Sequence, residues 1–446
     1  RGSTRGRTLD FGALSRGAPK SPSCASSVPR FFAAIAGPLY PDRAAGAIEG
    51  HTSAVVLGYR RKMRLGHDET RPIGVVLSGG GARGAFQVGV WKVLRDDPRG
   101  LGREPDVVSG TSAGAINGTL IAAGLSPEQM LEFWLDLSER PPIAANPRFF
   151  EALRRAVTRI MVSEPGRSFS ARKRDLSIMA QVAKKHALYT PSGILAAALE
   201  ILLTARFDAV GTLLEEIDTP FLFDTTPLRG RLAAAIGGFS VPRGRVKLAL
   251  NAIDVRSGGV VRIVNAPPGK SAQASRHYRY VENIPLDLVL ASASIPLLFR
   301  PVSWENRLLW DGGLLVNSPM APAVALGART LVPVLVTKVD GRSGAAMTSF
   351  GESVERLVDT LLENAYNIDR KLLLARNEIV GRIDHDATWS KVELLSAIRP
   401  GDTALFGPGS YLHFERQVLL DMYEAGKKAA RDWLAAGPPS DDGARD

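Results

Sequence analysis

The chain has 446 residues, 45% apolar and 23% charged, with 56 Lys and Arg against 45 Asp and Glu for a formal charge of +11. That length is more than one hydrophobic core usually fills, and the composition excludes both wholesale disorder and a polytopic membrane protein. A lone cysteine, Cys24, excludes an intramolecular disulfide and a cysteine-built metal site and favours a cytoplasmic location, while the positive charge draws the chain toward anionic surfaces without choosing among them.

Residues 1–70 are rich in Gly, Ser, Pro and Arg and lack sustained periodicity, the texture of a poorly ordered extension. From Ile73 the pattern changes to a β-branched run, "IGVVLS", then helix-like "ARGAFQVGVWKVLRD", a second strand "DVVSG" and helix-like "SAGAINGTLIAAG". Strand, helix, strand, helix in that order predicts an α/β fold on a mostly parallel sheet. Between about 127 and 238 the patterns are amphipathic and helical ("PRFFEALRRAVTRIMV", "DLSIMAQVAKKHALY", "ILAAALEILLTA"), with no convincing strand, so this stretch is expected to be a helical insertion. The last of these runs is too short to span a bilayer. Strand signals return at "VKLALNAIDV", "GGVVRIVNA" and "TLVPVLVT", and residues 339–446 read as a mostly helical region packing on a catalytic domain of residues 71–338.

Gly79, Gly81 and Gly84 fit G-x-G-x-x-G between a strand and a helix, as in dinucleotide-binding turns. A ribose-binding acid should then end the second strand, yet Asp106 begins it, and the strand runs into "GTSAG". Gly110-Thr111-Ser112-Ala113-Gly114 has the G-x-S-x-G spacing of a nucleophile elbow, with glycines at 110 and 114 for the tight turn and Ser112 at a helix start whose dipole favours negative charge. An alanine- and glycine-rich turn of no chemical use is the competing reading; the adjacent triple glycine of Gly79, Gly80 and Gly81 favours the elbow, because unobstructed N–H groups beside a serine can receive a carbonyl oxygen as it becomes anionic. Arg83 either fixes that loop or meets an anionic headgroup.

A serine nucleophile needs a base. None of the six histidines lies at a strand-end turn, whereas Asp311 in "RLLWDGGLLVNSP" follows a short apolar strand and precedes two glycines. Taken alone, Asp-Gly is an ordinary hairpin turn; beside an elbow without an evident histidine, Asp311 is the candidate base.

With these residues in view, the chain resembles the patatin-like phospholipases and lipid acyl hydrolases of the bacterial type. "GGGARG" looks like their oxyanion loop, "GTSAG" like their nucleophile motif and "DGG" like the turn bearing the aspartate of their Ser-Asp dyad, with "LFDTTPLRGRL" and "ASASIPLLFRPV" as further similar stretches. The resemblance spans about 73–338. It implies a three-layer α/β/α fold, Ser112 as nucleophile, Asp311 as base, Gly79, Gly80 and Gly81 as oxyanion donors, no metal or other cofactor, and a lipid acyl ester as substrate. On that reading the helical insertion serves as a lid or acyl-chain surface with transient membrane contact. Acyltransfer or thioester hydrolysis by the same dyad, and non-catalytic binding of a phosphate or nucleotide, remain open alternatives. No nucleic-acid motif accompanies the charge.

Overall fold

The computed structural model describes residues 71–162, 217–338, 349–382, 390–401, 404–407 and 409–441. The N-terminal extension and the apolar runs at 175–189 and 194–205 lie outside the described residues.

In chain order the first layers are β1 (Ile73–Leu77), α1 (Gly84–Asp96), β2 (Val107–Gly110), α2 (Ala113–Ala122) and α3 (Pro127–Glu139). Ser126 caps α3 through a capping box with Gln129, and Pro127 occupies the first turn. Next come β3 (Ala144–Ala145), α4 (Pro147–Val162) and, past 216, β4 (Phe221–Asp224) followed by the helix Thr226–Ile236. The expectation of no strand between 127 and 238 therefore fails: β4 pairs with β3 and with β10 (Leu297–Phe299) in a separate three-stranded sheet. Strands of two and four residues are too short to register as periodicity.

β5 (Ser240–Val241) pairs with β9 (Ile284–Pro285). The main sheet takes β6 (Lys247–Asp254), β7 (Gly259–Val264), β8 (Tyr278–Tyr280), β11 (Val302–Trp304), β12 (Arg307–Asp311), β13 (Thr330–Val334) and β14 (Glu393–Leu394). Its order is β11-β12-β6-β2-β1-β13-β14, with β7 and then β8 leaving from β6. β13, β1, β2 and the start of β6 run parallel, buried on both faces.

Alternation along β1 divides the core. Val75 and Leu77 join the cluster with α1, α2 and α3, whereas Val76 joins Met320, Tyr366 and Leu373 on the opposite face. Helices on both faces make three layers, α/β/α, as the family resemblance implied, on the mostly parallel sheet that the strand-helix order predicted. The second face is covered by the helices Met320–Ala325 and Phe350–Arg382, the latter called the long helix below. The C-terminal helix Arg416–Ala436 crosses α1 on the first face, where a Cβ on Gly89 would stand 1.9 Å from the Tyr423 carbonyl oxygen and one on Gly426 2.0 Å from that of Phe86. Two backbones meet with no side chain between them, so this helix is integral to the α/β/α unit. No helix among the described residues is long and apolar enough to cross a membrane.

Candidate active site

β1 and β2 end level: Leu77 stands opposite Gly110 in parallel register, so the loops leaving both strands emerge side by side. On the β2 loop Ser112 has φ 55° and ψ −123°, a conformation that L side chains rarely adopt. The surroundings enforce it, since a Cβ on Gly114 would lie 2.3 Å from the Leu77 carbonyl oxygen and one on Gly110 2.1 Å from that of Gly114. Only a turn glycine-lined on both sides fits between strand and helix, and it projects the serine into a cavity of about 330 Å³.

Asp311 arrives by a different route. β6 is eight residues long and β2 four, and the surplus of β6 pairs antiparallel with β12 on the edge that β2 vacates: Leu250 faces Gly110, and Ala252 faces Asp311. The carboxylate is thus set about 7 Å further along the sheet edge than the end of β2, near enough to the Ser112 hydroxyl to feel it electrostatically. Burial of Asp311 (4% exposed) pushes its pKa up to about 6, while the Gly313 N–H donated to Oδ1 at 2.7 Å and the Ser112 hydroxyl oppose the shift. A carboxylate poised near neutrality next to a serine can accept its proton.

The glycine loop departs from the expectation in one respect. The Gly79 N–H is already donated to Oδ1 of Asn317 at 2.9 Å and to the Asn317 carbonyl at 3.2 Å, so it is a pinned support and not an oxyanion donor. Among the described residues no acceptor faces the N–H groups of Gly80, Gly81 or Ala113. Gly81 and Ala113 line the cavity with Ser112. Ala113 was not singled out from the sequence, although the residue after the nucleophile is the second donor in elbows of this type. The bareness of the loop serves the protein's own packing: at Gly81 (φ 54°) a Cβ would lie 2.2 Å from the Tyr411 carbonyl oxygen.

Arg83 is wholly buried and positions this loop. Its Nε donates to Ser410 Oγ at 2.8 Å, its NH1 to the Val336 carbonyl and Asp359, and its NH2 to Glu355 and the Phe406 carbonyl. Its guanidinium also stacks 3.7 Å over the Tyr411 ring, whose hydroxyl donates to Asp359. With all five N–H directions engaged, none is left for a lipid headgroup.

The cavity is apolar, walled by Ile116 and Trp134 on one side and by Phe223, Leu298 and Phe299 on another. The segment Tyr411–Glu415 closes it, with Phe414 stacked on Trp134 at 6.3 Å. His413 is in that wall, the one histidine among the described residues to line the cavity with Ser112. No cluster of metal-ligating side chains occurs among the described residues.

The family model for patatin-like phospholipases matches residues 75–324. A 52-residue stretch is 52% identical to lysophospholipase nte1 of Aspergillus terreus, covering 12% of this chain and 3% of that protein, so the chain spans only a small part of this relative. Among solved structures, VipD from Legionella pneumophila is similar at 14% identity and TM-score 0.35, covering 83% of this chain and 68% of its own. ExoU of Pseudomonas aeruginosa, in complex with SpcU, is similar at 17% identity and TM-score 0.18, covering 68% and 53%. All clamp partners of Arg83, from Val336 to Tyr411, lie beyond the matched residues.

Proposed function

This chain belongs to the patatin-like phospholipase family, and from that premise we propose that it hydrolyses the acyl ester bonds of phospholipids or lysophospholipids through Ser112 and Asp311. Asp311 removes the Ser112 proton as Oγ attacks the ester carbonyl carbon, and the carbonyl oxygen, now an alkoxide, takes hydrogen bonds from the amides of Gly81 and Ala113, with Gly80 alongside. When the intermediate collapses, the bond to the alcohol breaks and Asp311 returns its proton to the departing oxygen. Water then attacks the acyl-enzyme, Asp311 again taking the proton, and as the bond to Ser112 Oγ breaks Asp311 returns that proton to the serine while the fatty acid leaves.

The observation that carries this reading is a strained serine lining an apolar cavity, with a buried carboxylate raised to about 6 that responds to its hydroxyl. Such a cavity suits an acyl chain, and a site with one polar corner fixes where along that chain the ester lies. A phosphate- or nucleotide-binding role would leave Ser112 and Asp311 without work and finds no cation on the glycine loop, since Arg83 is fully engaged.

Labelling by a fluorophosphonate probe tests the dyad. Wild type should label at Ser112 and both Ser112→Ala and Asp311→Asn should not. Release of free fatty acid from a phospholipid, with no transfer to added alcohol, separates hydrolysis from acyltransfer; labelling that survives Ser112→Ala would overturn the assignment.

A further inference from the structure

The long helix packs Tyr366 and Leu373 inward, yet Val354, Leu357, Leu361, Ile368, Leu372 and Ile379 are 37 to 64% exposed. Their spacing places all six on one stripe along the helix, about 38 Å long at 1.5 Å per residue. So long a row of large apolar side chains in water marks an interaction surface. Leu314 and Leu315, three and four residues after Asp311, are also exposed, and their turn lies against the long helix. Exposed apolar side chains are thus also present on the turn after the proposed base, which packs on the same helix.

A second cavity, about 780 Å³, opens beside this stripe, with Leu372 on its rim and four cations in its lining: Arg262, Lys270, Arg329 and Arg376. Asp369 is the one carboxylate there; burial pushes it up to about 7 and the Arg262 charge opposes the shift. Asp369 Oδ2 and Arg262 Nε are buried without a hydrogen-bond partner among the described residues. Of these two, the Arg262 N–H is a donor that an anion can take. Beside the cleft, on the C-terminal half of the helix, the exposed charges are Lys371 and Arg382 against Glu378, whereas toward its N-terminus Arg356 is exposed among the half-buried Glu352, Asp359 and Glu363.

We propose that the outer face of the long helix docks on an anionic phospholipid surface, the leucine stripe lying among the acyl chains and the four-cation cleft receiving a phosphate headgroup. Apolar side chains flanked by basic groups are the chemistry of interfacial binding. A second copy of this chain fits less well, because a two-fold contact along the stripe would bring the cationic clefts of both copies together. The choice of occupant rests on the lipid reading above. It places membrane contact on the long helix and not, as expected from the sequence, on the helical insertion.

The test is sedimentation of the full chain with vesicles of phosphatidylcholine alone or with phosphatidylglycerol added, alongside turnover of a soluble short-chain ester. Wild type should bind only the anionic vesicles, and less as NaCl rises from about 0.05 to about 0.5 M. The double variant Leu361→Glu, Ile368→Glu should lose binding, and Lys270→Glu, Arg329→Glu should weaken it at least about tenfold, with both retaining wild-type turnover of the soluble ester. Absence of wild-type binding, or a stripe variant that binds like wild type, overturns the docking face; a cleft variant that binds like wild type overturns the headgroup site. A wild-type dimer that the stripe variant splits into monomers reassigns the face to self-association. Vesicle binding of the expected pattern by a chain that hydrolyses no ester leaves this inference standing and removes the hydrolase reading instead.

Discussion

Ser112 and Asp311 hang from one turn. The Ser112 N–H donates to the Ser292 carbonyl at 2.9 Å, and the Asp311 N–H donates to the Ser294 carbonyl at 2.9 Å. The separation of the proposed nucleophile and base is thus set by a two-residue step in "ASAS", a segment that supplies neither of them. Ser292 Oγ accepts from the same Ser112 N–H at 3.3 Å.

The strain at Ser112 makes activity and stability opposed. Replacing it with glycine, which tolerates φ 55°, should abolish ester hydrolysis and raise stability by about 1 to 3 kcal/mol. Ser112→Ala should abolish hydrolysis without that gain. Thermal denaturation of the two variants side by side measures the difference.

Asp311 should govern the acid limb of the pH profile. As the base it must be ionised, so kcat/KM should rise with pH through about 6 and be about tenfold lower at pH 5 than at pH 7. The linked stability effect has the opposite sense. A carboxyl whose pKa is raised on folding contributes stability below its unfolded value, near 3.8, and loses it as pH climbs through about 6. Asp311→Asn, neutral at every pH, should therefore be inactive yet more stable than wild type at pH 7, by up to about 2 to 3 kcal/mol, and indistinguishable at pH 4.

Arg83 tests whether the oxyanion loop depends on residues beyond the family match. Arg83→Met removes the cation that Glu355 and Asp359 share, leaving Glu355 to Lys338 and Asp359 to the Tyr411 hydroxyl, which should cost about 3 kcal/mol. Arg83→Lys restores charge but not the planar fork that reaches Ser410, Val336 and Phe406 at once. It should recover part of the stability and little of kcat, a split that denaturant melts and steady-state kinetics resolve.

His413 shares the cavity with Ser112, so it is the residue to exclude as a base. With Asp311 in that role, His413→Gln should keep kcat within about tenfold of wild type, any change falling mainly on KM through the cavity wall. A pH profile for this variant that still breaks near 6 assigns the acid limb to the carboxylate.

The crossing of α1 by the C-terminal helix should be as intolerant as the core. Gly426→Ala would place a methyl 2.0 Å from the Phe86 carbonyl oxygen, forcing the helices apart at a cost of at least about 2 kcal/mol. Because α1 begins at Gly84, directly after the proposed oxyanion loop, the variant should also lose activity at temperatures where it remains folded.

What the sequence determined was local: short apolar strands rich in β-branched residues, a G-x-S-x-G spacing, an aspartate at a strand end, and from their order a mostly parallel sheet. These follow from steric and periodic rules that act over a few residues. The tertiary structure decided everything that depends on which segments meet. Nothing near Gly79 says that Asn317 takes its N–H, nothing near Arg83 says that Glu355, Asp359 and Ser410 exhaust its donors, and nothing near Leu361 says that its side of the helix is left in water. Hydrogen-bond partners more than two hundred residues apart along the chain leave no periodic trace, because pairing at a distance constrains geometry and not spacing. Only the folded chain could separate the glycine that supports the site from those whose amides stay open to a substrate.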